Sequence, residues 1–311
     1  MSHDYPTVSV LMPVRNGARY LGAAGRSILR QTLREFEFII VDGGSTDATS
    51  RILQRWARRD PRVRVLTRPG SGIVDALNAG LAVARAPLIA RMDADDVALP
   101  QRLFRQAEFL DRHPEFLGCG TAVGLIDRAG SLVDQLERPT DPAFIDAALM
   151  RGDSATIIHP SLMVRRAAIE AVGGYRKFAQ YTEDLDLYLR LCEHGALTNL
   201  PDLLLHYRVH FDSTHFQRGH MKDSVKEAVL RDACRRRGTE FEPETLDQRY
   251  FQKPPARFHR EWAQSALRLG HRITALKHAF LAATKAPTDP ATRRMFRQLK
   301  GTFFHRVQRL A

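Results

Sequence analysis

The sequence predicts an α/β fold in which a mixed, mainly parallel sheet is flanked by helices and followed by an all-helical C-terminal extension. Short β-branched runs alternate with helical patterns over the first hundred residues, and polar or acidic loops follow three of these runs. After residue 217 only helical patterns occur. Alternation of this kind is typical of parallel strands joined by crossover helices.

Four runs rich in Val, Ile and Leu predict the first strands. The expected strands are 8–12, 36–41, 63–66 and 88–92. Between them lie helical patterns of a length suited to crossovers, at 20–31, 47–60 and 72–85. The sequence therefore begins as a doubly wound sheet, in which ligands bind beyond the carboxyl ends of the strands.

Beyond Pro100 the pattern changes. A helix reaches residue 113, and a strand at 118–127, a turn and a strand at 131–136 predict an antiparallel pair added to the sheet. We place a boundary near Phe216, with one domain over 1–216 and a helical extension over 217–311. Within that extension, residues 263–287 resemble one tetratricopeptide-like helix pair.

Composition limits the partners. The 311 residues carry a formal charge of +12, which favours anionic partners such as nucleotides, polyanions or acidic membrane surfaces. Cys119, Cys192 and Cys234 are widely spaced, which favours packing roles in a reducing compartment over a zinc site. Because no apolar run reaches about 18 residues, we expect a cytoplasmic protein that does not span a membrane. We expect no nucleic-acid partner.

The acidic run Asp93-Ala94-Asp95-Asp96 follows the fourth predicted strand. Alternate residues of an extended segment point to one side, so Asp93 and Asp95 can approach one Mg²⁺ or Mn²⁺ ion. The alternatives are a solvated loop, a helix cap, or a phosphatase in which Asp93 is the nucleophile. We expect Asp96 to cap the following helix or to support the pair.

Asp42 ends the second strand, where a carboxylate can accept a hydrogen bond from a nucleobase or a ribose hydroxyl. For the following Ser45, Thr46 and Asp47 we favour turn formation and helix capping over ligand binding.

A third polar cluster lies near residue 183. Thr182 is a plausible N-cap, so Glu183 and Asp184 exceed what capping requires, and one of them can act as a general base. Simple helix capping remains the alternative. His206, Arg208 and His210 alternate along a predicted strand and can contact phosphate or a metal, although single histidines are more often structural.

Taken together, these motifs resemble the family 2 glycosyltransferases of bacterial polysaccharide and lipopolysaccharide assembly, which use the Rossmann-like GT-A fold. The resemblance extends over roughly residues 6 to 215. Its ordered motifs lie at 8–17, 41–47, 72–80, 91–96, 173–175 and 183–187. Each motif is weak alone, but the ordered set is specific.

The resemblance implies a nucleotide-sugar donor, with UDP favoured, and inversion at the anomeric carbon. It implies that Asp184 is the catalytic base and that Glu183 supports the acceptor. The implied metal ligands, for Mn²⁺ or Mg²⁺, are Asp93, Asp95 and His210. The expected donor-binding residues are Pro13, Val14, Arg15, Asp42, Asp75, Asp93, Ala94 and Arg208. The expected acceptor-binding residues are His159, Gly174 and Tyr175.

The family's processive members carry a Gln-x-x-Arg-Trp signature that has no clear match here, so we expect transfer of a single sugar to a glycan or lipid-linked acceptor. The other hypotheses are a metal-dependent phosphatase or nucleotidyltransferase, and a non-catalytic basic scaffold. The amphipathic basic helix predicted at 291–310 either packs on the catalytic domain or lies on the inner face of the cytoplasmic membrane. Homo-oligomer formation is left open.

Overall fold

The computed structural model describes residues 5–211, 222–241 and 254–296. These residues form two compact units. The first comprises residues 5–123, 137–207 and 222–241, and the second comprises 124–136, 208–211 and 254–296. The boundary predicted at Phe216 falls outside the described residues and stays a prediction.

The first unit alternates strands and helices. Its first half contains β1 (Val8–Val14), α1 (Ala18–Leu29), β2 (Phe36–Asp42), α2 (Thr49–Arg59), β3 (Val63–Thr67), α3 (Ile73–Leu81), β4 (Leu88–Arg91), β5 (Val97–Ala98) and α4 (Arg102–Arg112). Its second half contains α5 (Pro142–Met150), β8 (Met163–Arg165), α6 (Arg166–Ala171), α7 (Glu183–Cys192) and α8 (Lys222–Arg237). Two long strands, β6 (Phe116–Ile126) and β9 (Ala196–Arg208), continue from this unit into the second.

The strands are ordered β3-β2-β1-β4-β8-β6-β9-β5. Neighbours among β1 to β4 pair in parallel, whereas β8 runs antiparallel to both β4 and β6, and β5 runs antiparallel to β9. The predicted α/β class is therefore confirmed. The four parallel strands were predicted to within two residues, and the apolar runs of β1, β2 and β4 are buried on both faces of the sheet.

Close backbone approaches set the helices on this sheet. A Cβ at Gly80 would lie 2.0 Å from Leu11 Cδ1, so glycine lets α3 lie against β1. A Cβ at Gly25 would lie 1.9 Å from Trp56 Cη2, and this glycine lets the Trp56 ring of α2 pack against α1. Both contacts support the buried strands that end at the site described below.

Several elements differ from the sequence-based prediction. The strand expected at 206–210 begins at Ala196 and ends at Arg208, so His210 lies beyond it. Asp96 is followed by β5 rather than by a helix, and α4 begins only at Arg102 after a Gln101 cap. The prediction that Asp96 caps the following helix is therefore wrong. Thr182 precedes α7 as predicted, but its hydroxyl donates to the Ala179 carbonyl and does not cap the helix.

A charged network joins α7 and α8. The Asp186 carboxylate is fully buried and pairs with both Arg176 and Arg190. Arg176 also donates to Asp232 of α8, at 2.7 Å. Because a buried carboxylate is stable only when it is paired, these arginines fix the base of α7 and hold α8 in the first unit.

The second unit contains β7 (Leu132–Leu136), α9 (Pro255–Arg268) and α10 (Arg272–Lys285). β7 pairs with the end of β6. The two helices pack through Ala263, Ala266, Ala275, Ala279 and Ala282 around a turn at Gly270, whose φ of 81° suits glycine. This arrangement agrees with the helix pair predicted at 263–287.

Polar side chains are also buried in the second unit. The Asp127 carboxylate lies 3.0 Å from His278 Nε2 and 2.5 Å from Lys277 Nζ. His278 Nδ1 lies 3.0 Å from His259 Nδ1, and the two rings stack beside Trp262. This chain of contacts ties both helices to the β6–β7 turn.

Most of the helix predicted at 291–310 lies outside the described residues, which end at 296. Among the helices that the structure describes, none combines the length and the apolar character needed to cross a bilayer.

Candidate active site

The carboxyl ends of the parallel strands carry the candidate site. The chain leaves β3 at one edge of the parallel group and returns to the sheet as β4 on the other side of β1, so the strand order reverses there. Ligands of open α/β sheets bind outside the carboxyl ends of strands at such a reversal. Asp42 and the Asp93–Asp96 run lie at these ends, as predicted.

The loops that follow β1 and β2 are hydrogen-bonded to each other. The Asn16 N–H donates to Ser45 Oγ at 2.9 Å, and the Thr46 N–H donates to Asn16 Oδ1 at 2.8 Å. Asn16 has a φ of 54°, a left-handed conformation that asparagine tolerates better than most residues. The two loops therefore form one surface at the strand ends.

Asp47 caps two helices. One of its carboxylate oxygens accepts from the Ala18 N–H at the start of α1, and the other accepts from the Thr49 N–H at the start of α2. Although burial acts to raise its pKa, these hydrogen bonds lower it. Asp47 thus accepts from backbone N–H groups at the starts of two helices, although the N-cap positions themselves are Gly17 and Ala48.

Asp42 is buried, and its carboxylate accepts hydrogen bonds from Ser45 and Ser50. Burial acts to raise the pKa of Asp42, but the hydrogen bonds outweigh it and lower the pKa. With a further backbone hydrogen bond from Gly44, four donors surround the roughly four acceptor positions of this carboxylate. Asp42 thus orders the turn after β2, and its predicted contact with a nucleotide stays a prediction.

Three carboxylates gather after β4. One oxygen from each of Asp93, Asp95 and Asp96 lies within 4.8 Å of the others, and Asp96 is fully buried. Burial raises the pKa of Asp93, and the charges of Asp95 and Asp184 raise it further, against the opposing effect of Arg91. A cluster of oxygen ligands whose mutual repulsion needs a cation fits Mg²⁺ or Mn²⁺.

Arg91 is the cation beside this cluster. It ends β4, is buried, and forms an ion pair with Asp93. Burial acts to lower the pKa of Arg91, but Asp93 outweighs burial and raises it, so the guanidinium stays charged. It supplies part of the charge that three carboxylates require.

His159 and Tyr175, both predicted on the acceptor side, are in contact. His159 Nε2 lies 3.0 Å from the Tyr175 hydroxyl, and the His159 ring also contacts Tyr188 edge-on. Burial, together with the Arg91 charge, lowers the pKa of His159 well below its usual value, so the imidazole is neutral near pH 7. The Tyr188 hydroxyl is buried and has no hydrogen-bond partner among the described residues.

The backbone around Tyr175 is fixed by Asn78. The Asn78 side chain accepts from the Tyr175 N–H and donates to the Tyr175 carbonyl. A Cβ at Gly174 would lie 2.9 Å from Asn78 Oδ1, at a φ of 69°, so glycine is required there. Gly174 therefore has a structural role, and its predicted contact with an acceptor stays a prediction.

Glu183 and Asp184 begin α7. Glu183 is buried, whereas Asp184 is partly exposed and accepts from the Leu185 N–H at 2.8 Å. Burial raises the pKa of Tyr188, and the charge of Asp184 is the next largest cause. The charge of Asp184 also contributes to the raised pKa of Asp93, and the roles predicted for these two carboxylates stay predictions.

The remaining predicted donor contacts are distributed around the strand ends. The Val14 carbonyl accepts from the Gly43 N–H. Val14 is buried, Pro13 before it is half-buried, and Arg15 after it is exposed. A Cβ at Gly17 would lie 3.6 Å from the Cβ of Ala94, so the loop after β1 approaches the acidic run. Asp75 forms an exposed ion pair with Lys177 at 3.0 Å.

Arg208 and His210 belong to the second unit. Arg208 donates to the Asp127 carbonyl at 2.8 Å, which anchors it to the β6–β7 turn. The predicted donor contact of Arg208 and metal contact of His210 stay predictions.

Two residues near the carboxylates were not predicted from the sequence. Arg91 belongs to the motif at 91–96, but the sequence assigns it no role. Tyr207, on β9, is half-buried, and its pKa is raised well above the usual value by burial and then by Asp96, Asp93 and Asp95. The alternating pattern at 206–210 selects His206, Arg208 and His210. Tyr207 lies between them and faces the other side of the strand, so the pattern does not select it.

A parallel group ordered β3-β2-β1-β4, extended by antiparallel strands and carrying three carboxylates after β4, agrees with the GT-A fold that the sequence motifs predict. The sequence model of glycosyl transferase family 2 matches residues 9–173. The chain therefore belongs to glycosyl transferase family 2.

Individual relatives agree. The chain is 32% identical over 237 residues to the putative glycosyltransferase EpsE of Bacillus subtilis, an alignment that covers 74% of this chain and 83% of the relative. It is 32% identical over 211 residues to the O-antigen biosynthesis glycosyltransferase WbnJ of Escherichia coli, covering 67% and 81%. The S. aureus TarS 1-349 structure in complex with UDP-GlcNAc superposes with a TM-score of 0.61 at 16% identity, covering 96% and 92%.

Family membership decides among the functions considered from the sequence. The protein is a glycosyltransferase, so the phosphatase and nucleotidyltransferase hypotheses and the non-catalytic scaffold are set aside.

Proposed function

We propose that the protein transfers a single sugar from a UDP-sugar, with inversion, to a hydroxyl of a glycan or lipid-linked acceptor in cell-surface polysaccharide synthesis. The name of the E. coli relative, an O-antigen biosynthesis enzyme, supports the pathway class. The S. aureus structure with UDP-GlcNAc supports the donor class.

The observation that carries the proposal is the electrostatic coupling between Asp93 and Asp184. Asp184 lies at the N-terminus of α7 and Asp93 lies after β4, yet the charge of Asp184 contributes to the raised pKa of Asp93. A carboxylate that can accept a proton therefore lies near carboxylates that can hold a cation. Inverting sugar transfer requires this combination, since a base and a stabilised leaving group act in one step.

On the donor side, Asp42 is the proposed partner of the uracil or ribose, because its carboxylate is held ionised at the carboxyl end of β2. The loop that contains Arg15 is proposed to contact the diphosphate. Asp93 and Asp95, with Asp96 behind them, would hold Mn²⁺ or Mg²⁺, which when bound neutralises charge on the departing diphosphate.

On the acceptor side, the Asp184 carboxylate is proposed to take the proton of the attacking hydroxyl. As the acceptor oxygen forms its bond to the anomeric carbon, the bond from that carbon to the diphosphate oxygen breaks, and UDP leaves with the electron pair. Attack from the face opposite the leaving group inverts the anomeric centre. Glu183, His159 and Tyr175 are proposed to orient the acceptor.

The test combines a donor screen with product analysis. Purified protein is titrated with UDP-, GDP- and dTDP-sugars in the presence of Mn²⁺, and binding is followed as a rise in the unfolding midpoint. With the donor identified, UDP release and the anomeric configuration of the product, read by NMR, are measured for wild type and Asp184→Asn. We expect donor binding in both proteins and turnover only in wild type. Retention of configuration, or full turnover by Asp184→Asn, would refute the mechanism.

A further inference from the structure

The second unit exposes an apolar stripe along α10. Ile273, Leu276 and Phe280 are 86%, 43% and 65% exposed, and their spacing of three and four residues places them on one helix face. The opposite face of α10 already packs against α9 through Ala275, Ala279 and Ala282. Among the described residues of the second unit, the helix pair therefore packs without this stripe, which stays exposed.

The helix pair that carries the stripe is strongly basic. Arg272 lies one turn before Leu276, beside the apolar face, whereas Lys277 on the other side of that face is ion-paired with Asp127. Between residues 254 and 296 the chain contains eight Lys or Arg and only two Asp or Glu. Long basic side chains can extend around an apolar surface and place their charges at its rim.

We infer that α10 binds an anionic membrane surface, with Ile273, Leu276 and Phe280 inserted among the lipids and the basic side chains of the helix pair at the headgroups. An apolar face rimmed by Lys and Arg is typical of helices that lie in a bilayer interface. The same charge disfavours a second copy as the occupant, because pairing two strongly basic units would bring like charges together. The inference does not depend on which sugar the enzyme transfers.

The test is sedimentation with vesicles, using the full chain. Vesicles of phosphatidylcholine alone are compared with vesicles containing phosphatidylglycerol, for wild type, Phe280→Ser and Ile273→Ser/Phe280→Ser. Phe144→Ser is the matched control, since Phe144 is 53% exposed on α5 in the first unit. All three substitutions alter exposed side chains, so we expect unchanged unfolding midpoints.

We expect wild type and Phe144→Ser to bind the anionic vesicles and not the neutral ones. We expect the double variant to bind on the order of tenfold more weakly, because two large apolar groups no longer leave water. Binding should also weaken from about 0.1 M to about 1 M salt, where the screening length falls about threefold.

Three results would overturn the inference. The first is equal vesicle binding by wild type and the double variant. The second is a wild-type dimer that the double variant converts to monomer while vesicle binding is unaffected, which would make a second copy the occupant. The third is a double variant that no longer binds an acidic polypeptide such as polyglutamate, which wild type binds, but that still binds vesicles as wild type does. That result would make the stripe a protein docking surface.

Discussion

Arg91, the last residue of β4, forms an ion pair with Asp93, two residues further along the chain. The pair places a buried guanidinium beside three carboxylates, so the cluster is partly neutralised by the protein itself. A divalent cation at this site would therefore neutralise the negative charge of the carboxylates that Arg91 leaves unbalanced.

Replacing Arg91 with Met tests this relationship. The variant leaves Asp93, Asp95 and Asp96 with less opposing charge, so we expect a lower unfolding midpoint without metal. We also expect Mn²⁺ to raise the midpoint more in Arg91→Met than in wild type, because the cation relieves a larger repulsion. Thermal unfolding with and without Mn²⁺ measures both effects. An equal metal-induced rise in the two proteins would contradict the assignment.

Asp95→Asn tests the cation site by activity. Losing a charged ligand should reduce sugar transfer at least a hundredfold, since a bound ion contributes several kcal/mol to stabilising the leaving group. Asp202→Asn is the control, because Asp202 pairs with Arg105 at a partly exposed position. We expect less than a twofold change in that variant, because exposed ion pairs contribute about 0–1 kcal/mol. Comparable losses in the two variants would argue against a metal at Asp95.

Asp184 and Asp186 lie two residues apart in one motif and have different predicted roles. Asp184→Asn should leave stability nearly unchanged and lower the rate of transfer by roughly 10² to 10⁴. Asp186→Asn should lower the free energy of unfolding by about 3 kcal/mol, because Arg190 and Arg176 lose their buried partner. Chemical denaturation and initial rates on both variants distinguish the roles, and matching profiles would show that the division is wrong.

Two glycines of α1 give opposite expectations. Gly25→Ala would place a Cβ 1.9 Å from the Trp56 ring, so we expect destabilisation of about 1–3 kcal/mol. At Gly22 the nearest atom is the mobile end of Arg26, at 3.4 Å, so alanine should stabilise the helix by roughly 0.5–1 kcal/mol. Urea denaturation checks the sign of each change. Stabilisation by Gly25→Ala would mean that α1 and α2 are less closely packed than described.

Acid should weaken the second unit through His259. Burial, together with His278 and nearby lysines, lowers the pKa of His259 from 6.5 to about 4. Between these pH values the unfolded chain binds a proton at His259 and the folded chain does not. The contribution of neutral His259 to the free energy of unfolding is therefore present above pH 6.5 and is lost as pH falls toward 4. The loss amounts to about 3 kcal/mol, from the 1.36 kcal/mol of each pKa unit.

His259→Asn should flatten the dependence of the unfolding midpoint on pH between 6.5 and 4. His271→Asn, at an exposed position, should leave the dependence unchanged. A wild-type midpoint that is constant over this range would exclude the proposed role of His259.

Local pattern predicted β1 to β4 and the polar loops after them, because apolar periodicity and strand-end chemistry are both written in neighbouring residues. Arg91 was missed because an arginine in a buried strand has no local signal, and its reason lies in contacts with Asp93 and with charges from other elements. The length of β9 was missed because Pro201 interrupts its pattern. Asp186 resembles its neighbour Asp184 in sequence, and its buried contacts with Arg176 and Arg190 show that it is structural.

The hydrogen bonds between Asn16, Ser45 and Thr46 have a consequence for ligand binding. Loops that are already ordered lose little conformational freedom when a ligand binds, so little of the binding free energy is needed to order them. The entropy of donor binding should therefore be dominated by released water and by the flexible nucleotide. In calorimetry, we expect only a small entropy loss from ordering the loops after β1 and β2.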